Sequence, residues 1–156
     1  MSDVDATAGV LKRRPQSVLF VCSENSVRSP IAAALAREIL GNTTFVASIG
    51  VRRGKVDDFV GEVLREKGLG SRGHRPRALE EMEDEAFDVV VCLTPEARER
   101  ILRITGGLAP PLVLYWPTPD PTLVEGTRDH VLDAYRRVRD ELARRIRDVL
   151  AVKPAR

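Results

Sequence analysis

Four runs of consecutive apolar residues punctuate the sequence: "SVLFVC" (17–22), "TFVASI" (44–49), "FDVVVCL" (87–93) and "LVLYW" (112–116). Each is continuous rather than alternating, which is the pattern of a strand covered on both faces. Between them lie helical patterns, "SPIAAALAREIL" (29–40), "DDFVGEVLREKG" (57–68), "RPRALEEMEDEA" (75–86) and "PEARERILRI" (95–104), and a long last helix starts near Thr127. The order βαβα implies right-handed crossovers and an α/β fold, a single-domain open four-stranded parallel sheet with helices on both faces.

Punctuation agrees with this reading. Pro30 falls in a first helical turn, Gly41 follows the first helix, Asp57 suits an N-cap, and Thr94 precedes Pro95. In the last helix Val131, Tyr135, Val138, Leu142, Ile146 and Leu150 recur at three- or four-residue steps and make one apolar stripe. Asp140 with Arg144 and Glu141 with Arg145 have helical ion-pair spacing, so the remainder of that helix reads as a solvated face. A length of 156 residues suits one hydrophobic core. The polar, aperiodic residues 1–14 read as a mobile leader and 15–156 as the domain.

Composition narrows the function. Lys and Arg number 25 against 23 Asp and Glu, a formal charge of +2, too even for a protein that tracks nucleic-acid phosphates. Aromatic residues make up 4%, which leaves little material for base stacking. No run approaches the roughly 18 apolar residues of a membrane span, and "MSDVDATAGVLKRRPQ" has no charged-then-apolar leader, so neither a nucleic acid nor a membrane partner is expected and the location expected is cytoplasmic. Two cysteines and two histidines make neither a disulfide framework nor a spaced zinc set; no metal or other cofactor is expected.

In an open parallel α/β sheet, ligands gather where strand carboxyl ends meet the amino ends of the following helices. Cys22 closes the first apolar run, and "CSENSVR" leads from it into the helix begun around Pro30. Unsatisfied N–H groups and the positive end of the helix dipole favour an anion there, and thiols held in such a field ionise readily. Cys22 is therefore a candidate nucleophile. Arg28 offers a planar, permanently charged fork for two oxygens of a phosphate-like group. Ser29 can donate a hydrogen bond to the sulfur, and Asn25 is a residue type that tolerates left-handed backbone. A buried, inert strand-end cysteine is the competing reading of Cys22.

The segment "VLFVCSENSVRSPIAAAL" resembles the low-molecular-weight protein tyrosine phosphatase family, whose relatives include thioredoxin-coupled arsenate reductases. "ASIGVRRG" resembles the family's serine-bearing second strand, "GHRPR" its His-Arg segment, "FDVVVCLTPEA" its third strand, and the "DP" of "WPTPDPT" its acid loop. The resemblance implies that Cys22 attacks phosphorus while Arg28 and the loop Ser23, Glu24, Asn25, Ser26, Val27 and Ser29 hold the oxyanion. Asp120 would protonate the leaving oxygen and then activate water, and Ser48 would hold the loop asparagine. Taken without the resemblance, Asp120 reads first as the start of an Asp-Pro turn. His74 reads as a residue satisfying local backbone groups, and His130 as surface.

Several positions depart from the family pattern. Val27 replaces a second loop cysteine, Thr94 stands where the reductases' redox cysteine falls, and Cys92 sits in a strand pattern, so an internal cysteine relay is not expected. Glu24 replaces a loop glycine. Thr122 and Leu123 replace wall tyrosines, while Arg52 and Arg53 follow Ser48 and offer partners to a second anionic group. The function expected is a phosphomonoesterase, with protein tyrosine phosphatase the family-typical activity and a phosphorylated protein, small phosphomonoester or oxyanion as partner. The alternatives are an arsenate reductase resolved by an external thiol, and a phosphate-binding module in which Glu24 has weakened the chemistry.

Overall fold

In the computed structural model, which describes residues 9–82, 85–105 and 110–153, strand β1 (Ser17–Cys22) is an inner strand. It pairs in parallel with β2 (Phe45–Gly50) on one side and β3 (Val89–Cys92) on the other, and β4 (Leu112–Tyr115) adds beyond β3, giving the order β2-β1-β3-β4. The chain leaves β1 for one neighbour and returns through β3 to the other, so the switch point of this doubly wound sheet lies beside the carboxyl end of β1.

Alternation along the strands sorts the core into two layers. Val18, Phe20 and Cys22 face the layer covered by α1 (Arg28–Leu40), α2 (Asp58–Arg65) and α4 (Arg128–Arg145). Leu19, Val21, Ile49, Val90 and Cys92 face the opposite layer, where Ala97 and Ile101 of α3 (Pro95–Ile104) pack with Leu79. Helix α1 is buried over most of its length, because it lies between the sheet and α4; this explains the apolar run "PIAAALA", which has little polar face. Each large side chain buried this way contributes about 1.5–3 kcal/mol.

Local signals account for the helix starts. Asp57 accepts from Phe59 N at 2.9 Å, Thr94 from Ala97 N at 3.0 Å, and Thr127 from His130 N at 3.2 Å. The apolar stripe of α4 docks on the core, and the helix continues as a π-helical turn over Ile146–Leu150.

Two expectations are corrected. The stretch 75–86 is not a helix: Ala78 bridges to Gly50, and only Leu79–Glu81 form a 3-10 turn. Pro76 removes a donor and biases Arg75 to an extended shape, while the carbonyl of Arg77 accepts from Gly50 N at 2.8 Å, which takes up the backbone group a helix would need. Glu83 and Asp84 of that stretch lie outside the described residues. Asp140 does not pair with Arg144; it accepts from Arg139 Nε at 2.8 Å, and Arg144 binds Glu141 and Asp148 instead. The Glu141–Arg145 pair forms, at 3.2 Å.

Arg139 ties α4 to α2, donating to Val63 O at 2.9 Å and to Glu66 Oε1 at 2.7 Å, while Arg136 reaches Glu66 Oε2 at 2.8 Å. Of the expected leader, residues 1–8 lie outside the described residues. Leu11 packs against the core, and Arg14 donates to the carbonyls of Leu40 and Val152. Among the described residues, no helix is long and apolar enough to cross a membrane.

Candidate active site

The loop after β1 is shaped by Asn25, whose backbone adopts φ 58, a left-handed conformation that asparagine accepts more readily than most residues. Its side chain is fully buried and fully employed. Nδ2 donates to Ser29 Oγ at 2.8 Å and to Ser48 Oγ at 2.9 Å, and Oδ1 accepts from Arg77 N at 2.9 Å. His74 Nε2 lies 2.8 Å from the Asn25 carbonyl. The loop is thus pinned by β2, by α1 and by the extended 74–78 segment at once.

The carboxyl end of β2 presses on it from below. Val51 N donates to Cys22 O at 3.0 Å, Arg52 N to Ser23 O at 2.8 Å, and Gly54 N to Glu24 O at 2.9 Å. At Gly50 a Cβ atom would come within 2.6 Å of Asn25 N, so only glycine lets the two backbones approach this closely.

This arrangement aims donors at the Cys22 sulfur. Ser29 Oγ is 2.9 Å from Sγ, and Asn25 N donates to Sγ at 3.3 Å. With Asn25 Nδ2 occupying one acceptor site of the serine, its hydroxyl hydrogen is left for the sulfur or for Ile49 O at 3.3 Å. Cys22 is 2% exposed, yet it opens onto a hollow of about 370 Å³.

Ser23, Glu24, Ser26, Val27, Arg28 and Asp120 line the same hollow; Asn25, Ser29 and Ser48 are buried behind it and hold its shape. Arg28 Nη1 donates to Thr118 O at 3.1 Å, and Nη2 stands 3.9 Å from Asp120 Oδ2. The guanidinium therefore bridges the Cys22 loop and the Asp120 loop. Asp120 caps the turn Pro121–Leu123, its Oδ1 accepting from Thr122 N at 3.0 Å and Thr122 Oγ1 at 2.6 Å. Oδ2 remains on the side of the hollow.

Glu24 turns outward and is exposed. Arg52 sits at the mouth, donates to Glu96 Oε2 at 2.6 Å, and feels the charge of Glu24 as well. Arg53 binds Glu81 instead, through Nε at 2.9 Å. Thr122 and Leu123 form the outer wall, with Leu123 78% exposed. A wider hollow of about 880 Å³ shares Glu24, Ser26, Val27 and Thr122 with the first and extends to Asp58, Phe59 and Tyr135.

Cys92 is placed away from this chemistry. It pairs in register with Val21, so it points to the opposite face of the sheet from Cys22, and burial pushes its thiol up to about 12. Sequence reasoning missed the parts contributed from far along the chain: His74, held below its ordinary pKa chiefly by burial, and the backbone of Arg77. Their signal was the "GHRPR" segment.

A strand–loop–helix turn carrying cysteine and arginine, at the switch point of a parallel sheet, is where a class of phosphate-handling α/β proteins places its anion. The sequence pattern of the family described as low molecular weight phosphotyrosine protein phosphatase matches residues 17–153, and the chain belongs to that family. A curated relative, arsenate reductase from Halalkalibacterium halodurans, is 26% identical over 140 residues, covering 83% of this chain and 91% of its own length. Arsenate reductase 1 from Staphylococcus haemolyticus is 29% identical over 135 residues, covering 85% and 93%. Among solved structures, a mutant of YwlE from Bacillus subtilis superposes with a TM-score of 0.71 at 27% identity, covering 86% of this chain and 96% of its own. A second YwlE structure, described as an arginine phosphatase with a phosphorylated active-site serine, gives 0.69 at 27%, covering 86% and 93%.

Proposed function

We propose that the protein is a metal-independent phosphomonoesterase that works through a cysteinyl-phosphate. The observation that carries this reading is the meeting of Cys22 Sγ, backed by its donors Ser29 and Asn25 N, with the Arg28 fork and Asp120 on one hollow of about 370 Å³. Cys22 sulfur attacks phosphorus, Arg28 and the loop amides hold the equatorial oxygens, and the bond to the leaving oxygen breaks as Asp120 gives it a proton. Asp120, now a carboxylate, takes a proton from water; that oxygen attacks phosphorus, the S–P bond breaks, and inorganic phosphate leaves with the thiolate restored. Among the described residues no cluster of metal-ligating side chains stands at the site, and the mechanism routes nothing through a metal.

The substrate follows from the walls. Thr122 and Leu123 give a phenyl ring no aromatic partner, while Glu24 at the rim suits a neutral or cationic group better than an acidic one. A phosphorylated protein side chain is the substrate class, with phosphotyrosine and, given the arginine phosphatase neighbour, phosphoarginine as the two forms to compare.

The names of the curated relatives support a second reading, arsenate reduction through the same sulfur. The two cysteines of this chain sit on opposite faces of the sheet, so the Cys22–arsenic adduct would have to be resolved by an external thiol. A panel of an aryl phosphate, phosphotyrosine, phosphoserine and phosphoarginine peptides, and arsenate with small thiol decides between them when run beside Cys22→Ser. Ester hydrolysis lost in Cys22→Ser supports the proposal, and phosphoramidate hydrolysis alone would keep the cysteinyl-phosphate but replace the leaving oxygen by a guanidino nitrogen. Thiol-dependent arsenate turnover with no hydrolysis reverses it, and anion binding without any turnover leaves only a binding module.

A further inference from the structure

Among the described residues, nine arginines face a carboxylate: Arg28, Arg52, Arg53, Arg103, Arg128, Arg136, Arg139, Arg144 and Arg145. Two that sit together do not. Arg37, in the last turn of α1, and Arg72, in the connection after α2, have no ion-pair partner among the described residues. They lie between two adjoining hollows of about 600 and 360 Å³, both of which they line together with Gly41 and Asn42. Among the described residues Glu38 is the one carboxylate on either, and it borders only the smaller.

The arrangement is costly as it stands. Arg37 is half-buried and donates to Val46 O at 3.1 Å, which fixes its guanidinium on the edge of β2 and leaves its other N–H groups over. Burial first, and the charge of Arg72 second, hold its pKa below the ordinary value. Arg72 adopts φ 54, a left-handed conformation that is unfavourable for arginine, next to Gly73 at φ 66. A strained residue thus brings a second positive charge toward the first, and the surrounding Asn42, Thr43 and Ser71 add polar groups without negative charge.

We propose that Arg37 and Arg72 form a second oxyanion site, separate from the Cys22 hollow, that takes a sulfate- or phosphate-class dianion. Two guanidinium forks supply the paired donors such an anion needs, and its charge relieves the repulsion between them. The larger hollow exceeds a bare tetrahedral ion, so the anion can belong to a small organic phosphate whose body rests against Phe45, which is 58% exposed there. His74 links the two sites. It lines the larger hollow while its Nε2 meets the carbonyl of Asn25, so an anion beside it favours the imidazolium, whose N–H must donate to the catalytic loop.

Equilibrium dialysis with labelled sulfate tests this directly, with Arg28→Ala silencing the catalytic loop and Arg72→Gly silencing the second site. Glycine suits φ 54, so Arg72→Gly keeps the backbone, and turnover in sulfate-free buffer stays at the wild-type level; Arg72→Asn removes the same charge should glycine loosen the loop. Wild type should bind two sulfates, each single variant one, and the double variant none, with affinity at the second site at least tenfold weaker after Arg72→Gly. Phenylphosphonate, a dianion at mildly alkaline pH that has no ester bond to cleave, binding to the second site in Arg28→Ala distinguishes an organic carrier from the free ion. One sulfate in wild type and none in Arg28→Ala would overturn the proposal, as would two sulfates in Arg72→Gly. Neither result depends on which substrate the catalytic loop turns over.

Discussion

Asp120 spends one carboxylate oxygen on Thr122 and keeps the other toward Arg28, so its position is fixed before any substrate arrives. Replacing it by asparagine retains the turn but removes the proton. Asp120→Asn should lower kcat by about 10²–10⁴-fold for an alkyl or other poor leaving group and far less for an activated aryl phosphate; equal losses across leaving groups would count against the acid role. Asn25 is the residue on which the loop geometry turns. Asn25→Ala leaves Ser48 and the Arg77 amide without partners, each costing about 1–3 kcal/mol, and takes one of the hydrogen bonds of Ser29, so the melting temperature and kcat should fall together. The two thiols should respond differently to alkylation. Iodoacetamide should modify Cys22 alone in the native protein and both cysteines after denaturation, because Cys92 is buried with its thiol pushed up to about 12. Residues within the loop were legible in the sequence because their spacing along one turn decides what they touch. His74 was misjudged as merely local, since its partner Asn25 is 49 residues away and no local pattern announces that contact.

Elements with their own start signals were read to within a few residues. Thr94 before Pro95 is such a signal, and its hydroxyl caps α3 while accepting from Ser23 Oγ at 3.3 Å. Thr94→Ala should therefore destabilise the protein by about 0.5–2 kcal/mol in urea denaturation. Residues 75–86 show the opposite case. Their glutamates and alanines have good helix propensity, but propensity is a weak preference of a few tenths of a kcal/mol per residue. The bonds that Arg77 makes with Gly50 and Asn25 outweigh it, and these exist only once β2 and the Cys22 loop are in place. The π-helical turn that ends α4 had no counterpart in the sequence pattern, because its apolar spacing fits an uninterrupted α-helix equally well.

At the scale of the molecule, α2 and α4 are joined through Glu66, whose carboxyl is held down to about 2 by its hydrogen bonds from Arg136 and Arg139. A depressed carboxyl contributes its stability above the ordinary value of 4.5, and that contribution is lost as pH falls toward about 2. Urea midpoints measured down this range should fall, and Glu66→Gln should flatten the decline while lowering the midpoint at neutral pH. The same scale separates the two halves of the proposed catalytic apparatus. Cys22 ends a strand paired on both sides, whereas Asp120 rests on a connection held by a short turn, by Arg28 and by the Thr118 amide on Leu93 O at 3.0 Å. Gentle warming should therefore uncouple proton delivery before it disturbs the sulfur. Over that interval the protein would keep accepting phosphoryl groups from reagents that leave unaided while losing those that need help, a selectivity that narrows with temperature well before the sheet gives way.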